Sequence, residues 1–154
     1  KDLAQNDKFL LVREDSTREL LEPYWLLTAG YLRKIRDLLA EKHVPLMVGI
    51  YPYGMLVGSE EWGDGRIYWG FEKGRTYKAE VFRTLVRDFC RDEGIPLIDS
   101  FEAFRAAAGG EPLYYNWDGH FTPKGHRVLA ERFATDAQLH QLLGTPATDH
   151  SRQP

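Results

Sequence analysis

Twice along this chain a helix-patterned stretch runs through a tight turn into a short apolar segment, at Lys42-His-Val-Pro-Leu46 and again at Glu93-Gly-Ile-Pro-Leu97. That repeated phrase restricts the fold more than any other feature. Before the first junction, Leu27, Tyr31, Leu32, Ile35, Leu38 and Leu39 recur at three- and four-residue steps between Pro23 and Lys42, with Arg33, Lys34, Arg36 and Asp37 opposite them. This is the pattern of an amphipathic helix. Val44 to Tyr51 then stays almost unbroken apolar, too short for a buried helix and suited to a strand covered on both faces. Before the second junction, Val81, Phe82, Leu85, Val86 and Phe89 repeat at helical spacing between Tyr77 and Arg91, and Gly94 is placed to stop that helix ahead of a strand over Ile95–Ile98. Helix-strand-helix-strand order predicts a three-layer, flavodoxin-like α/β domain with a parallel sheet and right-handed crossovers.

Further helices are expected from near Phe101 and from Pro123, the latter with Thr122 as N-cap, Val128, Leu129 and Phe133 on one face, and an end near Leu143-Gly144. Phe9-Leu-Leu-Val12 is the candidate third strand. Residues 144–154 lack apolar periodicity and read as a flexible tail. Residues 1–143 would then be one domain. Stable doubly wound sheets have about four to six strands, so two convincing strands, and a chain that opens on Lys1 without Met, predict that part of the fold lies outside it.

Composition narrows the function classes. A formal net charge of -3 and a pI near 6.0 provide no basic field for nucleic acid or an anionic membrane surface. No apolar run approaches the roughly 18 residues of a membrane span, and Lys1 to Val12 lacks the layout of a secretory signal. The compartment is left open. Cys90, the single cysteine, can make neither an internal disulfide nor a cysteine-based zinc site. Small-molecule chemistry is what remains.

In open α/β sheets ligands bind beyond the carboxyl ends of the strands. Tyr51 to Gly74 follows the first strand and sets Tyr51, Tyr53, Trp62, Tyr68, Trp69 and Phe71 among six glycines. Such a loop reads either as a binding surface or as a self-packed surface loop. The sharpest local signal is Tyr114-Tyr-Asn-Trp-Asp118-Gly-His120-Phe-Thr-Pro-Lys-Gly125-His126. Residues two apart in an extended segment share a side, so Asp118 can approach His120. A carboxylate on one imidazole nitrogen fixes the tautomer and frees the other as a general base. Asp118 as a turn residue and His120 as a satisfied loop histidine is the bland alternative.

This phrase resembles the last sequence block of the SGNH (GDSL-like) hydrolase superfamily, in which an Asp and a His shortly before the final helix complete a Ser-His-Asp triad. The likeness extends over about Leu27 to Ala134, including a strand ending in Tyr51-Pro52, an aromatic insertion, and Gly94-Ile-Pro-Leu-Ile-Asp99. The Asp-x-His spacing is most similar to the branch with polysaccharide O-acetyltransferases and acetylesterases. The resemblance implies a serine esterase or O-acyltransferase acting on ester-linked groups, carbohydrate O-acetyl groups among them. It implies Asp118 and His120 as catalytic, and Tyr51, Tyr53, Trp62, Trp69 and Trp117 as shaping the acyl or sugar pocket. It requires no metal or organic cofactor.

The family's Gly-Asp-Ser block, and the Gly and Asn that complete its oxyanion hole, have no convincing counterpart here. Asn6-Asp7 resembles the Asn-Asp of that block without an upstream strand, so the role is not carried over. Ser16 and Ser151 sit in polar segments, and Ser59 lacks a strand-turn-helix setting. Ser100, in Leu97-Ile-Asp-Ser100-Phe, reads first as a helix N-cap and second as a strand-end nucleophile. The expectation is that this chain supplies the His-Asp half of a site whose serine lies upstream, in the N-terminal part of the same domain. Two other readings stand beside it: a non-catalytic carbohydrate-binding α/β module, and, ranked lower for want of a fourth ligand, a metal site of Asp118, His120 and His126. His126 is otherwise expected to pack or cap, His43 to replace a glycine at a helix end, and His140 and His150 to be solvated.

Overall fold

The computed structural model describes residues 7–144, so Asn6 and the expected tail after Gly144 lie outside the described residues. It is mixed α/β and mostly helical, with six α-helices and a two-stranded parallel sheet among the described residues. The strands are β1 (Val48–Ile50) and β2 (Leu97–Asp99), in register Val48 to Leu97 and Ile50 to Asp99. β1 is shorter than the apolar run around it. Pro45 lacks an N–H and Val44 is spent closing the preceding helix, its N–H bonding Leu39 O, so pairing starts only at Val48.

The first helix, α1 (Arg18–Ala40), begins five residues before Pro23, where Thr17 Oγ1 accepts the Leu20 N–H at 3.3 Å. His43 follows it with φ of 55°, the left-handed position expected of a glycine. The helix buries Leu21, Trp25 and Ala29, while Leu27, Tyr31, Ile35 and Leu38 of the apolar set stay exposed. α3 (Val81–Asp92) packs beside it, with the Trp25 ring edge-on to Phe82 and Phe89 and Glu93 taking both Arg33 and Arg36. Gly94, at φ 64°, ends α3 as expected.

Val48, Ile50 and Leu97 pack into the α1–α3 core. Gly49 faces the other way, where a Cβ would come within 2.8 Å of the Phe133 ring. That ring belongs to α5 (Pro123–Ala134), so helices cover both faces of the pair. Ahead of α5 come α2 (Gly63–Tyr68), inside the aromatic insertion, and α4 (Phe101–Ala107).

Three expectations are corrected. Phe9–Val12 is not a strand but part of a 3-10 turn over Asp7–Val12. Phe9, Leu10 and Val12 are all buried, with Phe9 against Trp69 and Phe71 and Leu10 in the α1–α3 core, so the segment acts as a wedge between two cores. The last helix is two: α5 stops at Ala134 and α6 (Ala137–Leu143) starts afresh, because Asp136 Oδ1 accepts the N–H groups of Gln138 and Leu139 at 3.1 Å. Ser100 occupies the N-cap position of α4 without capping it, since Asp99 Oδ1 accepts the Phe101 N–H at 3.0 Å instead.

Asp136→Ala removes that cap and the Arg132 ion pair at 2.8 Å. We expect a loss of about 1–2 kcal/mol in denaturant unfolding, with the helical signal of α6 reduced.

Candidate functional site

The Asp118–His120 pair sits at the tip of a hairpin. Tyr114 and Phe121 form an antiparallel bridge, Tyr115 N–H bonds His120 O at 2.8 Å, and Thr122 N–H bonds Leu113 O at 2.9 Å. Between them the chain turns, with Gly119 at φ 70° and lying on Trp62, whose ring a Cβ there would meet at 3.1 Å. Asp118 and His120 therefore meet across a turn and not along an extended strand. Asp118 Oδ1 accepts the His120 N–H at 3.0 Å and lies 3.4 Å from His120 Nδ1. The second distance is an ion-pair approach, long for a good hydrogen bond. The backbone N–H of His120, helped by its ring, holds the Asp118 carboxyl below its ordinary range. Both side chains are open to solvent, His120 by 83% and Asp118 by 58%. A carboxylate at Nδ1 favours the tautomer protonated there and leaves Nε2 as the basic nitrogen.

What holds the hairpin explains most of the sequence block. Thr122 caps α5 and donates its hydroxyl to Pro112 O at 2.7 Å. Lys124 Nζ donates to the carbonyl oxygens of Ala107, Gly109 and Glu111, tying the chain after α4 to the start of α5. Gly125 is buried where α5 crosses the strand before the turn, and a Cβ would come within 2.2 Å of Leu113 O. Thr-Pro-Lys-Gly is thus a packing device that sets the height of the loop. His126 is exposed, with its ring edge-on to Phe121.

The other anchors are residues that patterning overlooked. Glu61 is 4% exposed and its Oε2 accepts the N–H groups of Leu113 and Tyr114 at 2.8 and 3.1 Å. Arg66 is fully buried and donates to the carbonyls of Arg75, Gly58 and Glu61. Its burial lowers the guanidinium pKa. The Asn116 side chain donates its Nδ2–H to Asp64 Oδ2 at 2.6 Å and accepts the Asp64 N–H at Oδ1 at 2.9 Å, while its backbone carbonyl accepts the Gly65 N–H at 2.8 Å. The Asn116 amide, followed by Lys73, holds the Asp64 carboxyl below its ordinary range. Tyr114 donates its hydroxyl to Pro52 O, and burial pushes that phenol well above the usual range. Glu61 and Arg66 belong to no sequence motif; only their place among glycines and aromatic rings marks them.

The five aromatic candidates divide. Tyr51, 58% exposed, meets Phe121 edge-on with centroids 5.0 Å apart, next to His120. Tyr53 is half-exposed and stacks on Trp62. Trp62 is buried beneath Gly119 and forms the floor of the turn, so it supports the site without offering a face. Trp117, 72% exposed, stands on the turn itself. Trp69 lies at the far end of α2, against Phe9 and Tyr68, and partly buried. The insertion is in large part self-packed, burying Met55, Leu56, Val57, Trp62 and Phe71, yet it leaves open rings on the side of the pair.

Neither a 380 Å³ apolar groove among Leu10, Leu21, Tyr24, Trp25 and Phe82 nor a second cleft beside Arg87 and Cys90 includes a residue of the hairpin. Ser100 is buried with no hydrogen-bond partner for its hydroxyl, and Ser16, also buried, donates to Leu10 O at 2.7 Å. Neither serine reaches solvent beside His120. Asp118, His120 and His126 do not form a ligand set: among the described residues no group of three or more His, Cys, Asp or Glu is placed to hold a metal ion. No protein-family model, curated protein or solved structure matches this chain.

Glu61→Ala leaves two buried N–H groups without an acceptor, and we expect it to cost about 2–4 kcal/mol of unfolding free energy. Asp118 contributes stability that is fully present above the unfolded carboxylate value and is lost as pH falls through its depressed folded value. An NMR titration of the His120 amide should therefore show its inflection below that of a free aspartate, and Asp118→Asn should abolish it.

Proposed function

We propose that this chain is the C-terminal part of an SGNH-like, three-layer α/β hydrolase domain and supplies the acid-base half of a serine esterase or O-acyltransferase site. The observation that carries the reading is the contact of Asp118 with His120 Nδ1 at 3.4 Å in an anchored turn beyond the carboxyl end of β1. That is where open α/β sheets hold their ligands. In this reading His120 Nε2 takes the proton of a serine hydroxyl as its oxygen bonds the ester carbonyl carbon. It returns that proton to the departing alcohol as the carbon–oxygen bond breaks. Asp118 orients the ring and stabilises the imidazolium. Water or an acceptor alcohol then takes the acyl group by the same steps in reverse. In this reading the serine and the oxyanion donors come from residues upstream of Lys1: Ser16 and Ser100 are interior, and Ser59 lies in the insertion without a strand-turn-helix setting. Tyr51, Tyr53 and Trp117 flank the acyl or sugar moiety.

The second reading, a carbohydrate-binding module without catalysis, draws on the open rings of Tyr51, Tyr53, Tyr115 and Trp117, about half-exposed or more. Aromatic faces of this kind stack on sugar rings whether or not chemistry follows.

An aryl acetate assay separates the two. The isolated chain should hydrolyse the ester no faster than buffer, and a polypeptide carrying the upstream residues should be active. His120→Ala in that polypeptide should lower kcat/KM by about 10²–10⁴. Activity that survives His120→Ala, or sugar binding with no esterase activity at all, would overturn the catalytic role. Activity in the isolated chain that disappears with Ser100→Ala would relocate the nucleophile.

A further inference from the structure

We propose that the small cavity behind Tyr51 and Tyr53 is a binding site for a neutral acetamido group, with Arg83 Nη2 as the donor to its carbonyl oxygen. The cavity, about 40 Å³, lies where the chain leaves both strands: Tyr51 directly follows β1, and Phe101 comes two residues after β2. That is the end of a parallel sheet at which ligands are held. Its inner wall is apolar, with Val12, Leu56, Ala79 and Phe101 all buried. Tyr51 and Tyr53 form the mouth, 58% and 47% exposed. At about 10–15 Å³ for each water-sized occupant, the space takes about three non-hydrogen atoms. Among the described residues, Arg83 is the one charged side chain that lines it.

The Arg83 side chain is only 10% exposed and is held on several sides. Its Nε donates to Asp99 Oδ2 at 2.7 Å, its Nη1 donates to Glu102 Oε1 at 2.9 Å and Glu80 Oε2 at 3.2 Å, and the guanidinium lies 4.7 Å above the centre of the Phe101 ring. Nη2 has no hydrogen-bond partner among the described residues and is not sealed from solvent. A fixed, nearly buried donor of this kind gains most from an acceptor that displaces its water. Charge then selects the acceptor. Arg105 shares Glu80 and Glu102 with Arg83, so two guanidiniums face the three carboxylates of Asp99, Glu80 and Glu102, a surplus of one negative charge. A carboxylate or phosphate is repelled by that surplus, and a cation meets Arg83 itself. What fits is a neutral oxygen. An amide oxygen is a stronger acceptor than an ester or ketone oxygen, because the nitrogen lone pair delocalises onto it. The methyl, carbonyl carbon and oxygen of an acetamido group match the volume and the apolar wall. Its nitrogen is left at the mouth, where water or a phenol oxygen accepts the N–H. Acetamido groups of this form are carried by N-acetylated amino sugars and by acetylated amines.

This inference does not depend on the esterase reading, and its test is binding without catalysis. Acetamide, acetate and acetamidinium share one shape and are neutral, negative and positive in turn. Each is titrated into the isotope-labelled 154-residue chain while the Ala79 methyl and the Arg83 Nε–H are followed by NMR. We expect acetamide to shift both signals saturably with a Kd of about 1–50 mM, within reach of so small a ligand, and acetate and acetamidinium to bind at least 10-fold more weakly. Ala79→Leu fills the cavity without touching the Arg83 ion pairs and should abolish the acetamide shift. Leu11→Phe, on the partly buried side of the lining, is the second filling variant and should do the same if the first fails to fold. The source of the group is read from two pairs, N-acetylglucosamine against glucose and Nε-acetyl-lysine amide against lysine amide. A gain of at least 10-fold from the acetyl group in either pair supports the proposal and names the source. Acetate binding as tightly as acetamide, an acetamide shift that survives both filling variants, no shift at either signal, or no gain in either pair would overturn it.

Discussion

Two buried charges organise the half of the molecule that carries the candidate site. Burying a carboxylate or a guanidinium is costly unless every polar atom near it finds a partner. Glu61 is compensated by accepting the N–H groups of Leu113 and Tyr114, and Arg66 by donating from its two terminal nitrogens to three backbone carbonyls, with only its Nε left unpartnered. Both sets of partners are main-chain groups in segments with almost no regular structure of their own. The charges therefore do the work that a sheet or a helix does elsewhere, holding a glycine-rich loop in one shape. Trp62 is fixed between them, and Gly119 and the Asp118–His120 turn rest on it. Without this pair of anchors the hairpin would be a surface loop with no defined height above β1.

The chemistry available to the pair follows from its exposure. In water the Coulomb attraction between a carboxylate and an imidazolium a few ångströms apart is about 1 kcal/mol, and it grows several-fold when solvent is excluded. With both side chains open, Asp118 and His120 are positioned without being electrostatically isolated. A substrate or an additional wall of protein that covers Tyr51, Tyr53 and Trp117 would also dry the pair.

The apolar surface of α1 bears on the same issue from the opposite side of the molecule. Three residues from each strand make a very small sheet, and parallel pairs are ordinarily buried on both faces and flanked at both edges. Here both faces are covered, by α1 and α3 on one side and α5 on the other, while the Gly49 edge is not.

Much of the scaffold was legible in the sequence. The helix-to-strand junctions at His43 and Gly94 and the Thr122-Pro123 start of α5 follow from local rules, because caps, left-handed turns and apolar periodicity act over a few residues, and the order of those elements implied the parallel pairing. The proximity of Asp118 and His120 was also implied by their spacing, although through the wrong backbone shape, since nothing local signals that Tyr114 and Phe121 pair. Tertiary structure alone decided the rest. It determined that Phe9–Val12 is a wedge, that Asp136 divides the last helix, that Ser100 is interior, and that Trp62 is a floor while Trp117 is open. It also decided which apolar flank of α1 is buried, which composition leaves ambiguous when two flanks are equally apolar. Residue type and spacing specify what a short segment prefers; which side chain is covered, and which buried charge finds partners, depends on chain far away in sequence, and only the folded arrangement contains that information.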